Sequence, residues 1–124
     1  MAYQSVNTVA FAMPGGESCG GAQTRPIDLA HLSRQTMGDR ALELEVLGLF
    51  VQQLLHAKDQ IFGMNTNERL QLAHSLKGSA RGVGAFAIAA CAVDIEARPQ
   101  DEAVLNRMVA LIDETRDFVA AVSR

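Results

Sequence analysis

The chain has 124 residues, which suits one small domain, and 48% of them are hydrophobic while only 5% are aromatic and tryptophan is absent. A core of leucine, valine, isoleucine, alanine and methionine favours packed helices over a β-sandwich, where β-branched and aromatic residues dominate. The net charge of −3 argues against nonspecific binding to nucleic acid or to an anionic membrane surface. No apolar run approaches the roughly 20 residues that span a bilayer.

The first 24 residues carry two glycine pairs and no sustained hydrophobic period, and we interpret them as a flexible N-terminal tail. They contain no basic segment followed by an apolar core, which argues against a secretory signal. Cys19 and Cys91 are therefore expected to be free thiols in a reducing compartment, with Cys91 buried in its apolar run. The protein is expected to be cytoplasmic.

A short helix and a long helix follow the tail. Pro26 stands near the start of a helix of about two turns, in which Leu29 and Leu32 are three residues apart. Asp39 can cap a long amphipathic helix that continues to about Phe62. Its apolar arc is wide enough to contact two neighbouring helices and comprises Leu44, Val46, Leu47, Phe50, Val51, Leu54, Leu55, Ala57, Ile61 and Phe62.

Three more helices are predicted before the C-terminus. Asn65 or Thr66 can cap the third, with Glu68 spaced for a capping box with Asn65, and this helix ends near residues 82–84. An alanine-rich fourth helix spans about residues 85–97. Pro99 ends it, and Asp101 can cap the last helix. The predicted fold of residues 25–124 is an all-α, antiparallel, up-down four-helix bundle with a short extra N-terminal helix.

The third helix contains the stretch AHSLKGSARGVGA, residues 73–85. Steps of about 100° per residue place its apolar side chains on one core face: Leu72, Leu76 and Val83, flanked by Ala73 and Ala80. His74 falls opposite that face, and Lys77, Gly78 and Arg81 lie on its side. The histidine is therefore predicted to face solvent.

These neighbours suit a phosphoryl carrier. Gly78 destabilises a helix by about 1 kcal/mol relative to alanine, but its missing side chain leaves space for a bulky group beside the imidazole of His74. Lys77 and Arg81 can offset the charge of an anion on that ring, and Arg81 can donate two hydrogen bonds to phosphate oxygens.

The same residues resemble the signature of histidine-containing phosphotransfer (HPt) domains, H-x-x-K-G on a bundle helix followed by a further small position, here Gly84. The similarity extends over about residues 25–124 and leaves the tail outside. It implies that His74 accepts a phosphoryl group from a receiver aspartate or a sensor histidine kinase and passes it to a receiver aspartate. Lys77 and Gly78 match the signature directly, whereas Arg81 depends on the geometric argument alone.

The resemblance carries further implications. Family members often hold the second imidazole nitrogen with a glutamate or glutamine on the next helix, and Glu96 is the best match; it would accept the Nδ1 proton and leave Nε2 as the nucleophile. The protein would be a monomer without a cofactor of its own, since the receiver would supply Mg²⁺. Independently of the resemblance, the helical wheel places Leu70 on the side of His74, with Gln71 and Gly82 flanking, and these three residues are the predicted docking surface for the receiver.

Alternative interpretations remain. Arg81 could belong to an ordinary solvated face, and Glu96 could be a simple surface acid. Leu70 could be a scattered surface leucine or pack on the first helix. The three histidines have no metal-ligand spacing and the cysteines form no C-x-x-C, so no metal site is predicted.

Other functions fit less well. The glycine-rich stretch is not expected to be a P-loop, because no G-K-[ST] follows it and no strand precedes it. A kinase dimerisation helix would carry H-E-x-x-T-P or a similar motif, and the chain has no room for an ATP-binding domain, so autophosphorylation is not expected. A helical module that binds receivers or kinases without phosphotransfer is the remaining alternative.

Overall fold

The computed structural model describes residues 25–124, and both the predicted tail and Cys19 lie outside the described residues. Within this range the chain is helical and contains no strand, as predicted. The α-helices are α1 (Leu29–Gln35), α2 (Arg40–Gln60), α3 (Thr66–Val83), α4 (Phe86–Ala97) and α5 (Glu102–Val122), and one turn of 3-10 helix, Ile61–Gly63, extends α2. Helix α2 packs on α3 and α5, and α4 packs on the same two helices, so α2–α5 form the four-helix bundle and α1 is the short extra helix.

Local sequence signals account for the helix starts. The side chains of Asp39, Asn65 and Asp101 each accept a hydrogen bond from a backbone N–H of the first turn of α2, α3 and α5. Glu68 completes the predicted capping box by accepting from the backbone N–H of Asn65. Helix α1 is capped by Asp28, one residue before its first helical residue, and Pro26 lies just outside it.

The core lies between the four long helices, and most of its residues belong to the predicted apolar faces. Leu55 and Phe62, which were expected to widen the buried face of α2, are 37% and 48% exposed instead. The most extensive helix pair is α3–α4, where small buried side chains allow close approach: Ala73 and Ala80 on α3, and Ala85, Ala89 and Ala92 on α4. Cys91 is a buried free thiol, and burial raises its pKa above the usual value for a cysteine.

Helix α1 is attached where α3 ends. Gly84 closes α3 in the left-handed conformation, with φ 91°, and its carbonyl accepts a hydrogen bond of 2.9 Å from the backbone N–H of Asp28. A Cβ on Gly84 would lie only 2.9 Å from the carbonyl oxygen of Asp28 and 3.3 Å from Cδ2 of His31. Glycine is therefore required both for the backbone conformation and for the contact with α1.

The other end of α3 is fixed by Arg69. Its guanidinium donates hydrogen bonds to the carbonyl oxygens of Ile61, Phe62 and Pro99, at 2.8, 3.0 and 3.1 Å. One side chain thus ties α3 to the end of α2 and to the loop after α4. With Gly84 at the opposite end, these contacts hold α3 in place along the bundle.

Candidate functional site

His74 lies near the middle of α3 and its side chain is 80% exposed. The core face of α3 turns the other way, where Ala73, Leu76 and Ala80 are buried. The helical pattern alone produces this orientation, and the structure agrees with the expected exposure of the imidazole. A partner protein can therefore reach the ring without any rearrangement of the bundle.

A lysine–glutamate pair lies beside the imidazole. Nζ of Lys77 donates to Oε1 of Glu96, on α4, at 2.7 Å, while Oε2 of Glu96 lies 3.7 Å from Nδ1 of His74. The side chains of Lys77 and Glu96 are only 21% and 27% exposed. The structure thus joins three residues that the sequence analysis placed on two different helices, and the ammonium group of Lys77 is bound to Glu96.

The electrostatics of this cluster follow from the pair. The hydrogen bond from Lys77 lowers the pKa of Glu96 below its usual value, the positive charge of Lys77 lowers it further, and partial burial opposes both. Glu96 is therefore an anion across the neutral pH range. The distance of 3.7 Å between Oε2 of Glu96 and Nδ1 of His74 exceeds a hydrogen bond, so the carboxylate faces that nitrogen without being bonded to it.

The surface around His74 is open on its C-terminal side. A Cβ on Gly78, one turn after His74, would meet no other heavy atom within 4 Å, and the same is true of Gly82. Arg81 is exposed in the last turn of α3, where a positive charge also interacts favourably with the helix dipole. The helix end thus gives Arg81 a structural role besides its predicted role near an anion.

The predicted docking residues have different environments. Gln71 and Gly82 are exposed, while Leu70 is half-buried. Together they extend over about 18 Å along α3, at 1.5 Å per residue, with His74 between them.

A groove between α2 and α3 was not predicted from the sequence. We call it the α2–α3 groove; it has a volume of about 260 Å³ and is lined by Val46, Leu49, Phe50, Gln53, Ser79 and Val83. Leu49 is 60% exposed there, and Nε2 of Gln53 donates to Oγ of Ser75 at 3.3 Å, directly beside His74. The sequence did contain one indication of this groove, since Leu49 is an apolar residue that lies outside the predicted core face of α2.

The fold and the site together define a small helical bundle that exposes His74 on α3 beside a lysine–glutamate pair. The family model of the Hpt domain matches residues 45–123, well over half of the chain. The chain therefore belongs to the Hpt domain family. The match starts within the second turn of α2 and leaves α1 outside. No curated protein and no solved structure matches the chain.

Family membership sets the general function. Hpt domains take part in histidine phosphotransfer in phosphorelays, and they interact with receiver domains and kinases of two-component systems. None of the helices between residues 25 and 124 is long and apolar enough to cross a membrane. In the same range no group of three or more His, Cys, Asp or Glu side chains is arranged to hold a metal ion.

Proposed function

We propose that this protein carries a phosphoryl group on His74, either between the aspartates of two receiver domains or from a sensor histidine kinase to a receiver. The observation that carries the proposal is the 80% exposure of the His74 side chain, with Nδ1 turned toward the Lys77–Glu96 pair. We further propose that it acts as a cytoplasmic monomer.

The transfer follows from the orientation of the ring. With the proton on Nδ1, the lone pair of Nε2 attacks the phosphorus atom of the receiver's aspartyl phosphate. The N–P bond forms as the O–P bond breaks, and the aspartate leaves as a carboxylate with that electron pair. The phosphorylated ring keeps its Nδ1 proton and carries a positive charge, which the anionic Glu96 stabilises. Transfer to the next receiver is the reverse reaction.

Lys77 and Arg81 have different roles in this scheme. Lys77 holds the carboxylate of Glu96 at 2.7 Å, so it positions the group that faces Nδ1. Arg81 is exposed one turn beyond Gly78 and is free to approach the phosphoryl oxygens. The Mg²⁺ that the reaction requires is assigned to the acidic pocket of the receiver, and no cofactor is assigned to this chain.

A module that binds receivers or kinases without phosphotransfer is the alternative. It would use the same exposed surface but would not require an imidazole at residue 74. Phosphoryl uptake by the wild-type protein, and its loss in His74→Gln, separate the two functions.

Substitutions of Gly78 test the proposed access to the ring. Gly78→Ala is expected to preserve transfer and to stabilise the helix by up to about 1 kcal/mol. Gly78→Gln is expected to slow transfer at least about tenfold, because a tenfold change needs only about 1.4 kcal/mol of steric interference in the complex. Rapid-quench transfer assays and circular dichroism measure the two effects. A folded Gly78→Gln protein with wild-type rates would contradict the steric role.

Two leucines near His74 test where the receiver docks: Leu49, which is exposed in the α2–α3 groove, and Leu70, which is half-buried on α3. Leu49→Ala and Leu70→Ala are each expected to weaken receiver binding about five- to tenfold, as loss of a leucine contact at a small interface would. Leu55→Ala is the matched control, since Leu55 is an exposed leucine outside the proposed surface. Titration calorimetry with a receiver that carries a non-hydrolysable analogue of its aspartyl phosphate measures the affinities. Thermal unfolding detects any loss of stability. Equal affinities for all three variants would exclude this docking surface.

The role of Lys77 is testable by titration. Lys77→Met removes the hydrogen bond that lowers the pKa of Glu96, so this pKa is expected to rise toward the usual glutamate value. Transfer is expected to slow as the carboxylate loses its fixed position. Lys58→Met is the control, because Lys58 lowers the pKa of Asp113 through a separate pair at 2.7 Å. Carboxyl NMR titration measures both groups, and an unchanged Glu96 would contradict the assignment.

A further inference from the structure

The α2–α3 groove is apolar at one end and polar at the other. Val46, Leu49, Phe50 and Val83 supply the apolar part, and Gln53 and Ser79 supply the polar part next to Ser75 and His74. Leu49 is the most exposed leucine of the described chain, at 60%. A groove of about 260 Å³ accommodates a few apolar side chains of a single chain segment.

The N-terminal residues start from the Val83 end of this groove. The backbone N–H of Asp28 is bonded to the carbonyl of Gly84, the residue directly after Val83. Arg25, the first described residue, is three residues before Asp28 and therefore within about 11 Å of it, even if fully extended. The point at which residues 1–24 join the domain therefore lies close to the Val83 end of the groove.

The sequence of residues 6–13 suits an apolar groove. It is VNTVAFAM, whose apolar members are Val6, Val9, Ala10, Phe11, Ala12 and Met13. Residues 14–24 separate this segment from the domain and can span up to about 36 Å when extended. The distance along α3 from Val83 to Ser75 is about 12 Å at 1.5 Å per residue, so the whole groove is within reach.

We propose that residues 6–13 bind in the α2–α3 groove and compete with an incoming receiver. The covalent linkage favours binding of this segment over binding of a separate molecule, because a short linker gives the segment an effective concentration in the millimolar range. Weak apolar contacts are then sufficient for partial occupancy. The binding itself is independent of phosphotransfer, whereas its effect on the transfer rate rests on the function proposed above.

A spin label near the segment tests the binding in the 124-residue chain. The label is attached to Ser5→Cys in a Cys19→Ser background; Cys91 is 1% exposed, and burial raises its pKa, so its thiol does not react. Paramagnetic broadening is expected for amides of groove residues and not for Leu55 and Phe62, which are exposed elsewhere on α2 and the following turn. Phe11→Glu is expected to abolish the broadening.

Two outcomes would overturn the binding. Broadening of equal strength at Leu55 and Phe62 would mean that the segment has no preferred site. Broadening of isotope-labelled protein by a separate spin-labelled copy, mixed at equal concentration, would identify a second molecule as the occupant. Neither result depends on phosphoryl transfer.

Transfer rates test the competition. Phe11→Glu is expected to raise the second-order rate of transfer from a phosphorylated receiver about twofold, as for a groove that is half-occupied in the wild type. Gln4→Glu adds the same charge outside the segment and is expected to leave the rate unchanged. If the broadening is confined to the groove but Phe11→Glu and Gln4→Glu have equal transfer rates, the segment binds without competing with the receiver, and the proposed competition is wrong. Loss of uptake by every variant, including the wild type, would instead contradict the proposed function.

Discussion

Replacing His74 with glutamine is expected to reduce phosphoryl uptake from a phosphorylated receiver to background. Glutamine has a similar size but no nucleophilic ring nitrogen to take the place of the imidazole beside the Lys77–Glu96 pair. Because the side chain of His74 is 80% exposed, the substitution is expected to leave the free energy of unfolding within about 0.5 kcal/mol of the wild type. Transfer of radioactive phosphate and thermal unfolding measure the two quantities.

His56→Gln is the control for this variant, since His56 is an exposed histidine of α2. It is expected to be labelled like the wild type. The label on the wild type is expected to be labile in acid and stable in base, as a phosphoramidate is. Undiminished labelling of His74→Gln would exclude His74 as the phosphoryl acceptor.

Replacing Gly84 with alanine is expected to destabilise the fold by about 2–3 kcal/mol. The left-handed backbone conformation contributes about 1–2 kcal/mol of this penalty for a residue with a Cβ. The rest comes from the contact at 2.9 Å with the carbonyl oxygen of Asp28 and from weakening of the Asp28–Gly84 hydrogen bond. The melting temperature of a domain of this size is expected to fall by about 10–20 °C.

Gly48→Ala is the matched control for Gly84→Ala. Gly48 lies inside α2, where a Cβ would meet no other heavy atom within 4 Å. Alanine is expected to stabilise the protein there by up to about 1 kcal/mol through its higher helix propensity. Urea unfolding measures the change in the free energy of unfolding for each variant. Changes of opposite sign for Gly84→Ala and Gly48→Ala would establish the role of Gly84, and similar changes would refute it.

The sequence by itself determined the helices and the exposure of His74. Asp39, Asn65 and Asp101 each cap a helix where predicted, because a cap depends on contacts within three residues along the chain. The direction of His74 also follows from a local property, the angle between successive residues of one helix. The packing of distant segments changes neither property.

Only the tertiary structure decided what surrounds that histidine. The sequence suggested Lys77 as a free cation and Glu96 as a partner of the imidazole, whereas the packing of α3 on α4 brings Lys77 and Glu96 together at 2.7 Å. Leu49 lines a groove because residues of both α2 and α3 surround it, and Gly84 must be glycine because Asp28 packs against it. Each of these relations joins residues on different elements, and their distances depend on helix packing, which a periodic pattern along one helix does not specify.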